Sequence, residues 1–165
     1  MSRGLGDVYK RQVPPRGGRA QLVLNVTLPR PRLWSPDAPA LYVAAVTVTH
    51  VASATTDAVN ATFGVRTVAW SSAGGFRLNG APLKLRGGCV HHANGPLGSA
   101  AVDRADERRV ELLKAAGYNA IRTSHNPPSP AFLDACDRLG VVVMDESFDC
   151  WDAGKRPNDL SLIHI

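Results

Sequence analysis

The sequence predicts two structural parts in series: the end of a β-sandwich, then a parallel α/β segment. Three observations carry this. Short Val- and Thr-rich runs, separated by Pro and Gly clusters, fill the chain up to Trp70, the spacing of a sandwich. After Gly74-Gly75 the pattern changes to strand, helix, strand, helix, strand, as in βαβ units. The last of these strands, Val141-Val142-Val143-Met144, is continuously apolar, as expected of a parallel strand covered on both faces.

The elements follow in order. Val13 to Arg19 is rich in Pro, Gly and Arg and reads as loop. Gln21 to Leu28 alternates, with Leu22, Leu24, Val26 and Leu28 on one side, the period-two pattern of a half-buried strand. Pro29, Pro31, Pro36 and Pro39 then interrupt regular structure. Leu41 to Val51 predicts a second strand and Ala61 to Trp70 a third. Asn79-Gly80 between Phe76-Arg77-Leu78 and Pro82–Leu85 is the strongest short hairpin signal. Lys84 to Arg86 is expected to be the first parallel strand.

Asp103 is expected to cap a helix with Asp106 and Glu107 in its first turn, an apolar stripe of Val110, Leu113 and Ala116, and Gly117 as its stop. Ala120-Ile121 leads a short strand. Ser129 and Pro130 suit the N-cap and first position of a second helix, with Phe132, Leu133, Cys136 and Leu139 buried and Gly140 ending it.

The chain has 165 residues, a net charge of +5 and 44% hydrophobic residues, a globular composition. It has no apolar run of about 18 residues, so no transmembrane helix is expected, and Met1 to Gln12 lacks the apolar segment of a secretory leader. Three scattered cysteines, Cys89, Cys136 and Cys150, exclude a disulfide-dense scaffold and give no zinc spacing. They read as buried or incidental thiols.

The two ends share an inverted coding repeat. Asp7-Val8-Tyr9-Lys10-Arg11-Gln12 can be written GAT-GTG-TAT-AAG-AGA-CAG, whose reverse complement translates as Leu-Ser-Leu-Ile-His-Ile, the residues Leu160 to Ile165. This resembles a transposon end used in sequencing libraries. The expectation is therefore that 1–12 and 160–165 are translated adaptor and that Val13 to Asp159 is an open reading frame truncated at both ends. Within it 16 basic and 13 acidic residues remain, a net charge of +3. With no basic cluster, nucleic acid is not an expected partner.

Sites in parallel α/β folds form at the carboxyl ends of strands. Three such ends carry polar groups: Gly87-Gly88-Cys89-Val90-His91-His92, then Arg122-Thr123-Ser124-His125-Asn126-Pro127, then Asp145-Glu146-Ser147-Phe148-Asp149. Polar residues are ordinary where one strand exits to solvent. Three ends with His, Arg, Asp and Glu among them point to a common pocket.

Several segments carry a family resemblance. Trp34-Ser35-Pro36 with Leu41-Tyr42, Phe63-Gly64-Val65-Arg66, Leu78-Asn79-Gly80 and Leu85-Arg86-Gly87 resemble glycoside hydrolase family 2. Asn119 to Pro127 is similar to that family's first signature segment, and Asp145 to Asp149 with Trp151 and Gly154-Lys155 to the stretch after its third barrel strand. The resemblance implies the C-terminal part of an immunoglobulin-like β-sandwich over 13–72. It implies the first three βα units of a (β/α)8 TIM barrel over 73–159. It also implies a retaining β-glycosidase, most like a β-galactosidase, whose partner is a β-glycoside carbohydrate.

The family's acid/base is a Glu beside an Asn after the fourth barrel strand, and its nucleophile a Glu on a later strand. No Asn-Glu pair occurs here. Both catalytic glutamates are therefore expected beyond Asp159, and the chain itself is expected to be inactive. Asp145 and Glu146 cannot substitute, since strand neighbours point to opposite faces and a retaining pair must flank one bond at about 5–5.5 Å.

By resemblance, His91, Arg122, His125, Asp145, Glu146 and Trp151 are pocket residues. His91 donates to the sugar, and Arg122 holds a carboxylate through bidentate hydrogen bonds. His125 contacts a hydroxyl, while Asp145 and Glu146 buttress the wall. Trp151 either stacks on a sugar or fills the core. His92 stands where one branch of the family has an acidic residue, and its role stays open. Asp149 and Trp151 occupy positions that supply magnesium ligands in some β-galactosidases; Trp151 cannot ligate a metal, so no metal site and no cofactor are expected. A non-catalytic carbohydrate-binding sandwich module is the alternative, weakened by the two amphipathic helices after Leu83. A metal-dependent hydrolase using His91, His92 and His125 is a third, weakened by the adjacency of His91 and His92. Compartment is undetermined, and a homo-oligomeric parent is left open.

Overall fold

The computed structural model describes residues 23–147. The segments 1–12 and 160–165 expected to be adaptor, the loop expected over Val13–Arg19, and Asp149, Cys150 and Trp151 lie outside the described residues. The chain divides into two compact units, 1–31 and 32–165. Residues 23–28 form no ladder, so the strand expected over Gln21–Leu28 is not found in its described part. Alternation makes a strand only where another edge accepts its N–H and C=O groups. No strand among the described residues does so here.

The second unit opens with a ribbon. β1 (Leu41–His50) pairs antiparallel with β2 (Thr55–Gly64), from Leu41 opposite Gly64 to His50 opposite Thr55. Alternation puts Tyr42, Val46, Phe63 and Val59 on one face, where the Tyr42 and Phe63 rings stack with centroids 5.7 Å apart. The other face carries Thr47, Thr49, Thr56 and Thr62.

The third strand expected over Ala61–Trp70 is in fact two elements. β2 stops at Gly64 and β3 (Val68–Ser71) begins after a break. At the break the backbone changes partners. The Val65 carbonyl accepts from Trp34 N at 2.8 Å, Thr67 N donates to Asn79 Oδ1 at 3.0 Å, and the Thr67 carbonyl accepts from Asn79 N at 2.8 Å. The first half of β2 was missed because Asp57 and Asn60, poor strand formers, interrupt its apolar pattern.

β3 pairs antiparallel with β4 (Gly75–Leu78), which pairs with β5 (Ala81–Pro82). The Asn79-Gly80 turn has φ of 53° and 80°, the two left-handed residues of a type I′ hairpin. Among the described residues the expected sandwich is thus represented by one ribbon and one meander in separate sheets.

The expected parallel α/β segment is present. β6 (Gly87–Val90), β7 (Ala120–Thr123) and β8 (Val142–Met144) form a parallel sheet in that order. The first strand lies later than the Lys84–Arg86 expected, because two glycines read as loop. Gly87 is required: a Cβ there would lie 1.9 Å from the Ala120 carbonyl oxygen. Buried Asn119 fixes the approach to the strand, taking Arg86 N on Oδ1 at 2.7 Å and donating from Nδ2 to the Lys84 carbonyl at 3.1 Å.

Helix α1 (Asp103–Ala115) has Val102 as N-cap, so Asp103 is its first residue rather than its cap. Ala116 is exposed beyond the helix end rather than part of the apolar stripe. Gly117 follows in the left-handed region at φ 86°. Helix α2 (Pro130–Leu139) has the expected cap and stop, and of its expected buried face Phe132 and Cys136 are buried while Leu133 and Leu139 are partly so. Ser129 Oγ accepts from Phe132 N at 3.1 Å, Pro130 is first, and Gly140 closes it at φ 76°. Both helices pack on one face of the sheet, where Val110, Ile121, Phe132, Ala135, Cys136 and Val141 are fully buried. Burying a side chain such as Phe132 contributes about 1.5–3 kcal/mol. β8 is less covered than its apolar run implied, since Met144 is 56% exposed.

Two substitutions test this packing. Gly87→Ala forces β6 away from β7 and is expected to lower stability by about 1–3 kcal/mol. Ser129→Ala removes the α2 cap and is expected to lower it by about 1–2 kcal/mol. Urea denaturation followed by circular dichroism measures both.

Candidate active site

Strand alternation sorts the residues of the parallel sheet. Val90, Ile121 and Val143 belong to the helix-packed core. Their neighbours Cys89, Arg122 and Met144 stand opposite one another in register and face the other side. On that side the three strand ends meet.

Arg122 lies at the centre. Its Nε donates to Glu146 Oε1 at 2.5 Å, its NH1 to Cys89 Sγ at 3.4 Å, and its NH2 lies 3.4 Å from His125 Nδ1. His125 Nδ1 is also 3.3 Å from Glu146 Oε2. The His91 ring meets the His125 ring edge-on, centroids 5.4 Å apart at 84°. The peptide joining Ser124 to His125 is cis.

Charge follows this geometry. The hydrogen bond from Arg122 holds the Glu146 carboxyl below its ordinary value; His125 adds to this and partial desolvation opposes it. In return Glu146 raises Arg122. Glu146 is therefore a carboxylate at neutral pH, and Arg122 is occupied by it.

The structure brings together four of the six expected pocket residues: His91, Arg122, His125 and Glu146. Asp145 diverges. Its Oδ1 accepts from Thr123 Oγ1 at 3.2 Å, on the helix side of the sheet, while the adjacent Glu146 side chain reaches Arg122 on the other. Trp151 lies outside the described residues. Arg122 meets its carboxylate through one Nε contact and not through the bidentate fork expected. His92 does not join the cluster. Together with His91 it lines a small concavity with Asp106, Arg109, Ser129 and Phe132 beside the helices.

Cys89 corrects the reading of an incidental thiol. It is exposed and in contact with Arg122. The Ser124 hydroxyl, facing it, and the Arg122 guanidinium hold its thiol below the ordinary value. Ser124 Oγ completes no hydrogen bond, so the guanidinium is the better-defined neighbour. Cys136, by contrast, is buried in the core, and desolvation pushes its thiol up to about 12. Register with Arg122 is the signal that would have found Cys89.

Thr123 was also missed. Its hydroxyl accepts from Glu146 N at 3.1 Å and so fixes the turn after β8. Among the described residues no group of three His, Cys, Asp or Glu side chains could hold a metal, and no helix is long and apolar enough to cross a membrane.

Parallel strands joined by helices, with a guanidinium, a carboxylate and two imidazoles at their carboxyl edge, define an α/β protein of the βα-repeat class. The chain belongs to glycoside hydrolase family 2. The model described as "Glycosyl hydrolases family 2, TIM barrel domain" matches residues 71–150, and that described as "Glycosyl hydrolases family 2" matches residues 6–66.

Among similar proteins, the β-galactosidase BoGH2A of Bacteroides ovatus is 43% identical over 135 residues, 82% of this chain and 16% of its own length. A family 2 glycosyl hydrolase from Bacteroides cellulosilyticus superposes with a TM-score of 0.73 at 50% identity, over 81% of this chain and 17% of the other. The β-glucuronidase of Parabacteroides merdae superposes with a TM-score of 0.72 at 33% identity, over 77% and 16%. The chain thus spans about a sixth of the length of such relatives.

Acid titration tests the Arg122–Glu146 pair. A carboxyl depressed in the folded state contributes stability above its unfolded value and loses it as pH falls through the folded one. The stability lead of the native chain over Glu146→Gln is therefore expected to be full above about pH 4.5. It is expected to vanish at lower pH. Urea midpoints measured across that range check this.

Proposed function

We propose that the chain is part of a retaining β-glycosidase that hydrolyses O-glycosidic bonds, most like a β-galactosidase, and that it supplies one wall of the sugar pocket. The observation that carries this is the convergence of His91, Arg122, His125 and Glu146 from three successive parallel strand ends. On this reading residues 13–72 are the C-terminal part of an immunoglobulin-like sandwich, and residues 73–159 hold the first three βα units of a (β/α)8 barrel. The β-galactosidase names among its relatives support the choice of sugar.

The residues at the rim suit such a role. Arg122 keeps a carboxylate ionised beside the pocket, and an oriented positive charge of this kind stabilises an anion more in a dry site than in water. The imidazoles of His91 and His125 offer donors to sugar hydroxyls. Asp145 and Glu146, turned to opposite sides of the sheet, do not form the acid/base and nucleophile pair. Those two glutamates belong to later strands of the barrel, and no Asn-Glu pair occurs among the 165 residues. Trp151 is a further pocket residue on this reading.

A segment exchange tests this. The 135 matched residues of the Bacteroides ovatus β-galactosidase are replaced by those of this chain. The hybrid is expected to hydrolyse a nitrophenyl β-galactoside, whereas the 165-residue chain alone is expected to release no nitrophenol. Arg122→Ala in the hybrid is expected to lower kcat by about 10²-fold. A hybrid that folds but is inactive, or turnover by the chain alone, overturns the proposal.

A further inference from the structure

We infer that Arg109, on helix α1, is the positioning residue that holds His91 in the pocket wall. It lies outside the Arg122 cluster and faces the loop between β6 and α1. Its NH1 donates to the His91 carbonyl at 2.7 Å and its NH2 to the Ala93 carbonyl at 2.6 Å; NH2 also donates to Asn94 Oδ1. One rigid planar fork thus grips the loop at three residues, His91, Ala93 and Asn94.

The grip is anchored. Asn94 Nδ2 donates to Asp106 Oδ1 at 3.2 Å, and Ser129 Oγ donates to Asp106 Oδ2 at 2.6 Å. Asp106 is a buried carboxylate, one turn before Arg109 on the same helix face. Ser129 is the α2 cap. The β6–α1 loop is therefore tied at once to the first turn of α1 and to the start of α2.

His91 needs such an anchor. It is exposed and follows the last residue of β6. No other hydrogen bond of its backbone carbonyl or ring is made among the described residues, and its ring meets that of His125 edge-on. Arg109 decides where the peptide of His91 sits, and so whether its ring points at His125 and the pocket. A lysine keeps the charge at that position but not the fork, and it cannot span the same acceptors. That His91 then meets a sugar rests on the glycosidase reading; that Arg109 sets its position does not.

The test uses the full 165-residue chain and nuclear magnetic resonance. In the native chain, nuclear Overhauser cross-peaks are expected between the His91 and His125 ring protons. Arg109→Ala is expected to abolish them and to leave the amide protection of β7 and β8 unchanged. Arg109→Lys is expected to lose them as well, which separates the fork from the charge. Arg104→Ala, a surface change on the same helix, is expected to keep them. Persistence of the cross-peaks in Arg109→Ala, or their full restoration by Arg109→Lys, overturns the inference. An inactive hybrid enzyme in the segment exchange, with these results intact, counts against the glycosidase reading alone.

Discussion

One guanidinium connects the three strand ends. Each nitrogen of Arg122 that carries hydrogen is directed to a different element: Nε to Glu146 after β8, NH1 to Cys89 within β6, and NH2 to His125 after β7. A lysine in that place would offer a point charge on a flexible stem, without the fixed directions that let one side chain serve three neighbours. Because Arg122 is 41% exposed, the pair with Glu146 is worth little as stabilisation. Its consequence is orientation, and an oriented, ionised carboxylate beside two imidazoles is the property a polar pocket requires.

That orientation presupposes the register of the sheet. Cys89, Arg122 and Met144 share one layer only because Gly87 stands opposite Ala120 and Ala120 opposite Val142. A slip of one residue would turn Arg122 toward the helices and bring Ile121 to the opposite side. Two features hold the register. Gly87 lets β6 approach the Ala120 carbonyl more closely than any side chain permits, and Asn119 pins Arg86 and Lys84 just ahead of the strand. At the other end of α2, the Trp34 indole donates to the Asp137 carbonyl at 2.7 Å, with the Arg66 guanidinium 4.6 Å from the ring centroid. This buried tryptophan fastens the segment before β1 to the helix that covers the sheet.

The parts legible in the sequence were those whose signals are local. The Asn79-Gly80 turn and the Ser129-Pro130 start of α2 need only their own residues to declare themselves, as does the Gly140 stop, and all were read correctly. The parts that were not legible depend on distant partners. The β2–β3 break exists because Trp34 and Asn79 take the backbone of Val65 and Thr67. The strand at Gly87–Val90 exists because β7 accepts it, against the poor strand propensity of two glycines. Within the site, the type of residue at each strand end was visible, whereas Cys89, Thr123 and Arg109 become visible only once register and loop path are known. Asp106 shows the same limit. The sequence places it in a helix's first turn, and the structure buries it as the shared acceptor for Asn94 and Ser129.

Period-two alternation finally explains how adjacent residues part company at the rim. In Asp145-Glu146 the first side chain takes the Thr123 hydroxyl on the helix side, and the second takes Arg122 on the pocket side. At His91-His92 the division is incomplete: the His91 ring meets His125, and both residues line the concavity with Asp106 and Arg109. The β8 end therefore sends one carboxylate to each side of the sheet. The support is as polar as the pocket, because a loop leaving a buried strand carries backbone carbonyls that must find donors. Arg109 supplies them for His91 and Ala93. A rim built this way can exchange the residues on its open side while the alternate set, bonded on the helix side, keeps their positions.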